Sequence, residues 1–413
     1  LSLKKWVGWL MLMYYSISGI VIKKCLKRFE VYYEGCYKIY IVEYYFHNDW
    51  VFYLFFNCAD KAKIASSTQR IKRLEAKHMK AIGYQQNLPV SNELSLQDIE
   101  LEMPTAHGHD ILVEVKAVSV NPADFKIRES MPAPEGEYKV LGFDATGIVK
   151  SVGENVSLFK PGDKVWYAGD VTRSGSNAQF QLVDERIVGK MPTTLSNFEA
   201  AALPLTSLTA WELLFDRLNV AEKDDSKSIL VIGAAGGVGS IMVQLLKQRT
   251  KLKIIATASR AETTSWLEDL GADTIINHRN LLSEEFAAKN LGEVDYVVSL
   301  NNTAQHLPEI VKVIKPQGKF ALIDDPETLD IVPFKTKCVS VHWELMFTRS
   351  LFKTDDMQEQ HVILNNVATM IDEGLIKTTF GEHLGTINAV NLRKAHQHLE
   401  TQTAKGKVVL EGF

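Results

Sequence analysis

Residues 228–240 read SILVIGAAGGVGS, an apolar β-type run that breaks into a turn of small residues and then opens a helix at Val238. A turn without bulky side chains lets the backbone come close to a pyrophosphate, and the N–H groups and positive dipole end of the following helix hold its negative charge. Gly236 and Gly239 match the second and third glycines of the dinucleotide fingerprint, and Ala234 stands where the first is expected. Ala235, Gly236, Gly237, Val238 and Gly239 are therefore candidate cofactor contacts. A plain tight turn is the competing reading of the same residues.

The end of the next strand bears on which dinucleotide fits. A site for the cofactor without the extra phosphate usually places Asp or Glu about 20 residues beyond the glycines, where it accepts hydrogen bonds from the ribose. At that distance the chain reads Thr257-Ala258-Ser259-Arg260, with a hydroxyl and a guanidinium and no carboxylate. A guanidinium bonds a phosphate through two parallel N–H groups, so Ser259 and Arg260 point to NADPH. Glu262 argues the other way, and a solvated charge at a helix start is the plain alternative for Arg260.

The elements that must position this turn alternate. Strand-like runs at 229–234, 253–257, 274–277, 294–300, 319–323 and 338–342 are separated by helix-like runs near 238–249, 261–270, 282–290 and 304–314. That grammar predicts a doubly wound parallel sheet, and the nearly continuous Val and Ile content fits strands covered by helices on both faces. Upstream, short runs at 111–117, 146–152, 164–168 and 178–183 with Gly and Pro between them predict an antiparallel, barrel-like module. A helix near 390–401 and a terminal strand at 406–410 are expected to complete that module, leaving a cleft between two lobes.

The chain has 413 residues with 46 Lys and Arg against 50 Asp and Glu, a net charge of −4. Without a basic face in the main body, nucleic acid is not an expected partner. Residues 1–78 differ from the rest: they begin with Leu1, are crowded with Tyr, Phe, Ile and Lys, and lack useful periodicity. MKAIGYQ at Met79 looks like an ordinary start, so 1–78 are expected to be an upstream or added extension outside the functional fold. The rival reading is a membrane anchor in the apolar run 6–22, at the short limit for a span. Beyond the extension only Cys338 remains, expected to pack inside an apolar strand, and cytoplasmic residence follows as the default.

The segments SVNPADFKIR (119–128), LGFDATGIVKSVGENVSLFKPGDKV (141–165), LPLTSLTAWELL (203–214) and AAGGVGS (234–240), with Gly-Ala-Asp at 271–273, together resemble the medium-chain dehydrogenase/reductase superfamily over residues 79–413. More narrowly they resemble its zinc-type alcohol dehydrogenase-like proteins related to quinone oxidoreductases. The resemblance implies an α/β fold, with a Rossmann doubly wound sheet (206–342) and a GroES-like β-barrel catalytic domain (79–205, rejoined by 343–413). It also implies a homodimer.

Zinc is not expected despite the family label. Asn121-Pro122-Ala123-Asp124 stands where those enzymes carry a Cys, and Gly142-Phe143-Asp144 where they carry Gly-His-Glu. Without a Lewis acid, conjugate reduction is the easier chemistry, because an enone or quinone spreads the incoming charge itself. The expected activity is zinc-independent hydride transfer from NADPH to a quinone or α,β-unsaturated carbonyl substrate. The alternatives are a zinc-dependent alcohol or aldehyde dehydrogenase and a non-catalytic NADPH-binding redox sensor.

The resemblance assigns Asn121 to orienting the substrate carbonyl and Lys126 to stabilising a developing enolate. It places Thr206 and Thr209 by the cofactor at the domain crossover, and Thr263 and His278 by its adenosine end. Asp124 and Asp144 read as buried hydrogen-bond organisers. Trp343, Glu344, Phe347 and Arg349 form a cluster that can shape the pocket or a dimer edge. His107, His109, His396 and His398 read as surface histidines.

Overall fold

The computed structural model describes residues 78–221, 225–401 and 403–413, together with the backbone of five strands within 11–57. Two compact units divide the chain, Leu1–His78 and Met79–Phe413. In the first, Met11–Ile17 and Ile20–Leu26 pair as an antiparallel hairpin, and Arg28–Tyr33, Tyr37–Phe46 and Asp49–Asn57 form an antiparallel sheet. The apolar run 6–22 is thus strand over Met11–Ile17 and again from Ile20, while residues 6–10 and 18–19 lie outside the described residues. Among the described residues no helix is long and apolar enough to cross a membrane.

The second unit carries the expected parallel sheet. Its order is Thr274–Ile276, Lys253–Thr257, Ser228–Ile232, Val294–Ser299, Ile314–Leu322, Ser340–Trp343, so the first strand in sequence lies third from one edge and the chain winds outward in both directions. This is the doubly wound order in which a ligand is held beyond the carboxyl ends of the strands, where the winding reverses. Alternation explains its burial: Ile229 and Val231 point into one core cluster and Leu230 and Ile232 into another on the opposite face. Both faces are dry, hence the unbroken apolar run.

The barrel-like module is a seven-stranded, mainly antiparallel sheet built around Asp110–Val120, which pairs with Asp144–Val152, Phe180–Asp184 and the terminal strand Lys407–Glu411. Lys407–Glu411 thus brings the end of the chain back onto Asp110–Val120.

Several helices went unread. Pro122–Ser130 starts on an Asn-Pro pair, with proline in the first turn, where its missing N–H costs nothing. Pro204–Trp211 runs into a π-helical turn, Glu212–Arg217, and Glu359–Asp372 packs beside Val188–Lys190.

Two expectations are corrected. Cys338 is not inside a strand: it is exposed, in a left-handed conformation (φ 51°), just before Ser340–Trp343 begins. His396 is fully buried on the inner face of Ala389–Glu400 beside Arg128, and that burial holds its imidazole down at about 3.

Candidate active site

The helix after the glycine-rich turn begins at Gly237, one residue earlier than the sequence suggested, with Gly236 at its cap. The first intrahelical bond from outside the helix is Ser240 N–H to Gly236 O at 2.9 Å, so the N–H groups of Gly237, Val238 and Gly239 stand at an amino end with no side-chain cap. The tight turn itself is made by Gly233 (φ 78°), not Ala234. Gly239 is needed for packing, since a Cβ there would lie 2.3 to 2.5 Å from Ala234 backbone atoms. Gly236 is different: its added Cβ would meet only Gly233 O, at 3.5 Å. The fold does not require glycine at 236, whereas a ligand backed against the turn would.

Beyond the next strand, Ser259 is half-buried and Arg260 exposed, with the guanidinium donating to Thr403 O at 3.0 Å. Glu262, the residue that argued against phosphate, is paired with Lys405 at 2.7 Å, and that bond holds its carboxyl below the usual range. Thr263 is buried and donates to Arg260 O at 2.9 Å. His278 lies at the end of the third strand with its ring edge-on to His306, 6.4 Å between centroids. Its Nδ1 is buried without a partner among the described residues, and burial, then the neighbouring His306, hold its imidazole below its ordinary value.

The barrel side of the site is a cluster of four polar side chains. Asn121 is 1% exposed; its amide N–H donates to Asp144 Oδ2 at 2.9 Å and to Ser119 O at 3.3 Å, and its oxygen accepts from Lys407 Nζ. Asp144 also accepts from Leu205 N–H at 2.6 Å and from Lys407 at 2.9 Å. Asp124 accepts from the backbone N–H groups of Asn121 and Gly142 at 2.8 and 2.9 Å. Burial pushes Asp124 up to about 7, against the pull of the Asn121 N–H, the Lys407 charge and the Gly142 N–H. Both carboxylates organise hydrogen bonds, as their sequence positions suggested. Lys407 was missed: in GKVVLE nothing marks a buried lysine, because its partners are 263 to 287 residues away.

Thr206 and Thr209 are buried with their hydroxyls donating to Leu203 O and Leu205 O at 3.0 and 2.8 Å. Thr206 also lines the turn, its Cγ2 lying 3.1 Å from a Cβ built on Gly237. Lys126 stands apart from the buried cluster: its half-exposed side chain pairs with Asp325, beyond the fifth parallel strand, at 2.8 Å.

The cluster after the last parallel strand separates by burial. Trp343 is exposed; Phe347 is buried with its ring centroid 4.9 Å from that of Phe143. Glu344 and Arg349 are buried with Glu212 from the π-helical turn: Arg217 binds Glu344 and Arg349 binds Glu212, each at 2.9 Å.

The glycine-rich helix start, the doubly wound order and the barrel sheet that the tail rejoins match known proteins. The family model for the GroES-like domain of alcohol dehydrogenases matches residues 107–193, and that for zinc-binding dehydrogenases matches residues 270–410. A zinc-type alcohol dehydrogenase-like protein of Staphylococcus aureus is 40% identical over 338 residues, 80% of this chain and 99% of the relative. This chain belongs to the medium-chain dehydrogenase/reductase superfamily, among its zinc-type alcohol dehydrogenase-like proteins. A putative zinc-dependent alcohol dehydrogenase of Rhizobium etli shares 54% identity and a TM-score of 0.79, covering 82% of this chain and 99% of that one. A quinone oxidoreductase of Escherichia coli complexed with NADPH shares the fold at a TM-score of 0.67 and 24% identity, covering 80% and 99%.

This member of the superfamily is an oxidoreductase, and the residues at 121 and 143 are not the Cys and His that hold catalytic zinc in the zinc enzymes it resembles. Phe143, where the resemblance places the Gly-His-Glu histidine, is a buried ring tilted at 59° against Phe347, and Asn121, where it places the cysteine, is committed to Asp144 and Lys407. Among the described residues no group of three or more His, Cys, Asp or Glu converges to hold a metal. A dinucleotide does fit: the uncapped helix start, the bare Gly236 and the orphaned His278 Nδ1 are groups that a phosphate-bearing, hydrogen-bonding ligand would satisfy.

Proposed function

We propose that this chain is a zinc-independent, NADPH-dependent oxidoreductase that reduces a quinone or an α,β-unsaturated carbonyl compound. The observation that carries the reading is the helix start at Gly236–Gly239, uncapped by any side chain and with room at Gly236, in a chain whose Phe143 is a buried ring against Phe347. NADPH, when bound, supplies the hydride. Ala235, Gly236, Gly237, Val238 and Gly239 would hold its pyrophosphate, Thr206 and Thr209 would line its path, and Thr263 and His278 would meet its adenosine end. Ser259 and Arg260 would bind the extra phosphate, with Glu262 already neutralised by Lys405. The Escherichia coli neighbour, complexed with NADPH, supports this assignment.

An enone or quinone needs only modest help, because its carbonyl oxygen takes the negative charge as hydride adds to carbon. Lys126 is the cation for that charge: its pair with Asp325 is solvent-exposed, so the ammonium can swing to a substrate oxygen at little expense. Asn121 is saturated within the protein and acts by holding the floor of the site, not by grasping substrate.

The test is anaerobic mixing of the protein with NADPH deuterated at the transferable position and a panel of enones and quinones. Deuterium at the β-carbon of an enone, or hydroquinone formation, is expected. Tight NADPH binding with no consumption on any acceptor would favour a redox sensor and overturn the catalytic reading.

A further inference from the structure

Lys407 is 4% exposed and satisfies all three of its N–H donors inside the protein: Asn121 Oδ1, Asp144 Oδ2 at 2.9 Å and Val120 O at 3.1 Å. No donor is left for a ligand. Its aliphatic stem is pressed on the dinucleotide turn, since a Cβ built on Gly237 would fall 2.6 Å from Lys407 Cδ and 3.2 Å from Cγ. The preceding residue is stitched to the same turn, with Gly406 N–H donating to Ala235 O at 3.1 Å and Gly236 bridging to Gly406. One residue thus touches the helix start that would carry a pyrophosphate and the amide that forms the barrel-side floor.

We propose that Lys407 is a positioning residue that fixes the orientation of the Asn121 amide and seats the glycine-rich turn against it, so that the nicotinamide half of the cofactor is held in one pose. The inference rests on the NADPH reading above. A primary amide presents two chemically opposite ends of nearly equal shape. The ammonium on Oδ1 and the Asp144 carboxylate on Nδ2 leave Asn121 a single orientation. The stem carries that order to Gly237 through van der Waals contact alone; the tail also reaches the adenosine end, Thr403 O accepting from Arg260 and Lys405 pairing with Glu262, but neither contact involves the Lys407 side chain.

Replacing Lys407 alone leaves Asp144 buried with its charge uncompensated, which can unfold the chain. The decisive variant is therefore K407M/D144N, which keeps an apolar stem on Gly237 and removes both charges. Calorimetric binding of NADPH is compared with that of 2′,5′-ADP, the adenosine half of the cofactor with its 5′-phosphate and without the nicotinamide half, in wild type and in a variant shown to melt as a single folded species. The expected result is a split: 2′,5′-ADP affinity within about threefold of wild type, and NADPH affinity lower by about tenfold or more. A cofactor-free crystal structure of the variant should show the Asn121 amide turned or in two orientations. Equal affinities for NADPH in variant and wild type, with Asn121 unmoved, would overturn the inference while leaving the NADPH reading intact. If K407M/D144N does not fold, K407M with D144N omitted and K407Q/D144N are put through the same comparison, and an unsplit loss in every folded variant overturns the proposal. Failure of wild type to bind either nucleotide would remove the NADPH reading and this inference together.

Discussion

The ring of Phe143 leans on that of Phe347 at 59°, centroids 4.9 Å apart, and Phe143 stands next to Asp144 at the position where the family resemblance places a zinc-binding histidine. Both rings are buried, so the contact is part of the core and not a lid over a vacant metal site. Protein purified without added zinc should therefore carry far less than one equivalent, and exhaustive chelation should leave its NADPH oxidation rate within about twofold. Elemental analysis beside the chelation assay checks this; stoichiometric zinc whose removal abolishes activity would contradict it.

Arg260 is exposed and makes one hydrogen bond to a backbone carbonyl, so replacing it disturbs the fold little. Its guanidinium is free to reorient onto a phosphate. Arg260→Glu should weaken NADPH by roughly 30-fold, about 2 kcal/mol for a lost charge-assisted pair, and leave NADH unchanged or improved. Competitive titration of the two cofactors measures the ratio, and equal loss for both would place the extra phosphate elsewhere.

Gly236 and Gly239 separate a ligand requirement from a packing requirement. Gly239→Ala forces a methyl into the Ala234 backbone and should destabilise the chain by about 2 kcal/mol or more, with binding lost as a consequence. Gly236→Ala meets only an ordinary contact and should melt within about 2 °C of wild type, yet bind NADPH at least about tenfold more weakly. Thermal melts and binding on the same two preparations decide it. A Gly236→Ala protein that binds normally would show that no pyrophosphate rests on this turn.

Much of this was legible in the sequence, and the reasons differ by element. The parallel strands announced themselves because both faces of each are dry, giving runs such as SILVI that no exposed element tolerates. Pro122–Ser130 carries no clear helical period: Asn-Pro is a helix-start signature, but the weakly amphipathic sequence that follows, PADFKIRES, hides the rest. Lys407, Arg128 and His396 are polar residues in polar-looking segments, and their burial depends on partners far along the chain. Cys338 was placed in a strand by its apolar neighbours, whereas the chain leaves Val332–Lys337 through a left-handed residue there.

Glu344 and Glu212 meet in the core, and the Arg217 guanidinium on Glu344 does not offset burial and the neighbouring Glu212 charge. Arg349 and Gln360 bind Glu212, so Glu212 keeps the charge and Glu344 the proton; burial, then the Glu212 charge, push Glu344 up to about 9. The unfolded chain releases that proton near the ordinary carboxyl value, while the folded chain keeps it until about pH 9. This contribution to stability is complete below the unfolded value and fades as pH rises through that window. Glu344→Gln mimics the protonated state, so its melting temperature should gain on wild type between pH 5 and about 9, at about 2–4 °C per kcal/mol. Paired melts across that range check the trend, and a constant difference would show that Glu344 is ionised when folded.

The central claim is that a phosphate-bearing pyridine nucleotide lies on the Gly236–Gly239 helix start, and calorimetric titration of metal-stripped protein tests it most directly. The account predicts saturable one-to-one binding of NADPH, tighter than NADH, that Gly236→Ala weakens. Absence of measurable binding of either nucleotide to the folded chain would contradict it.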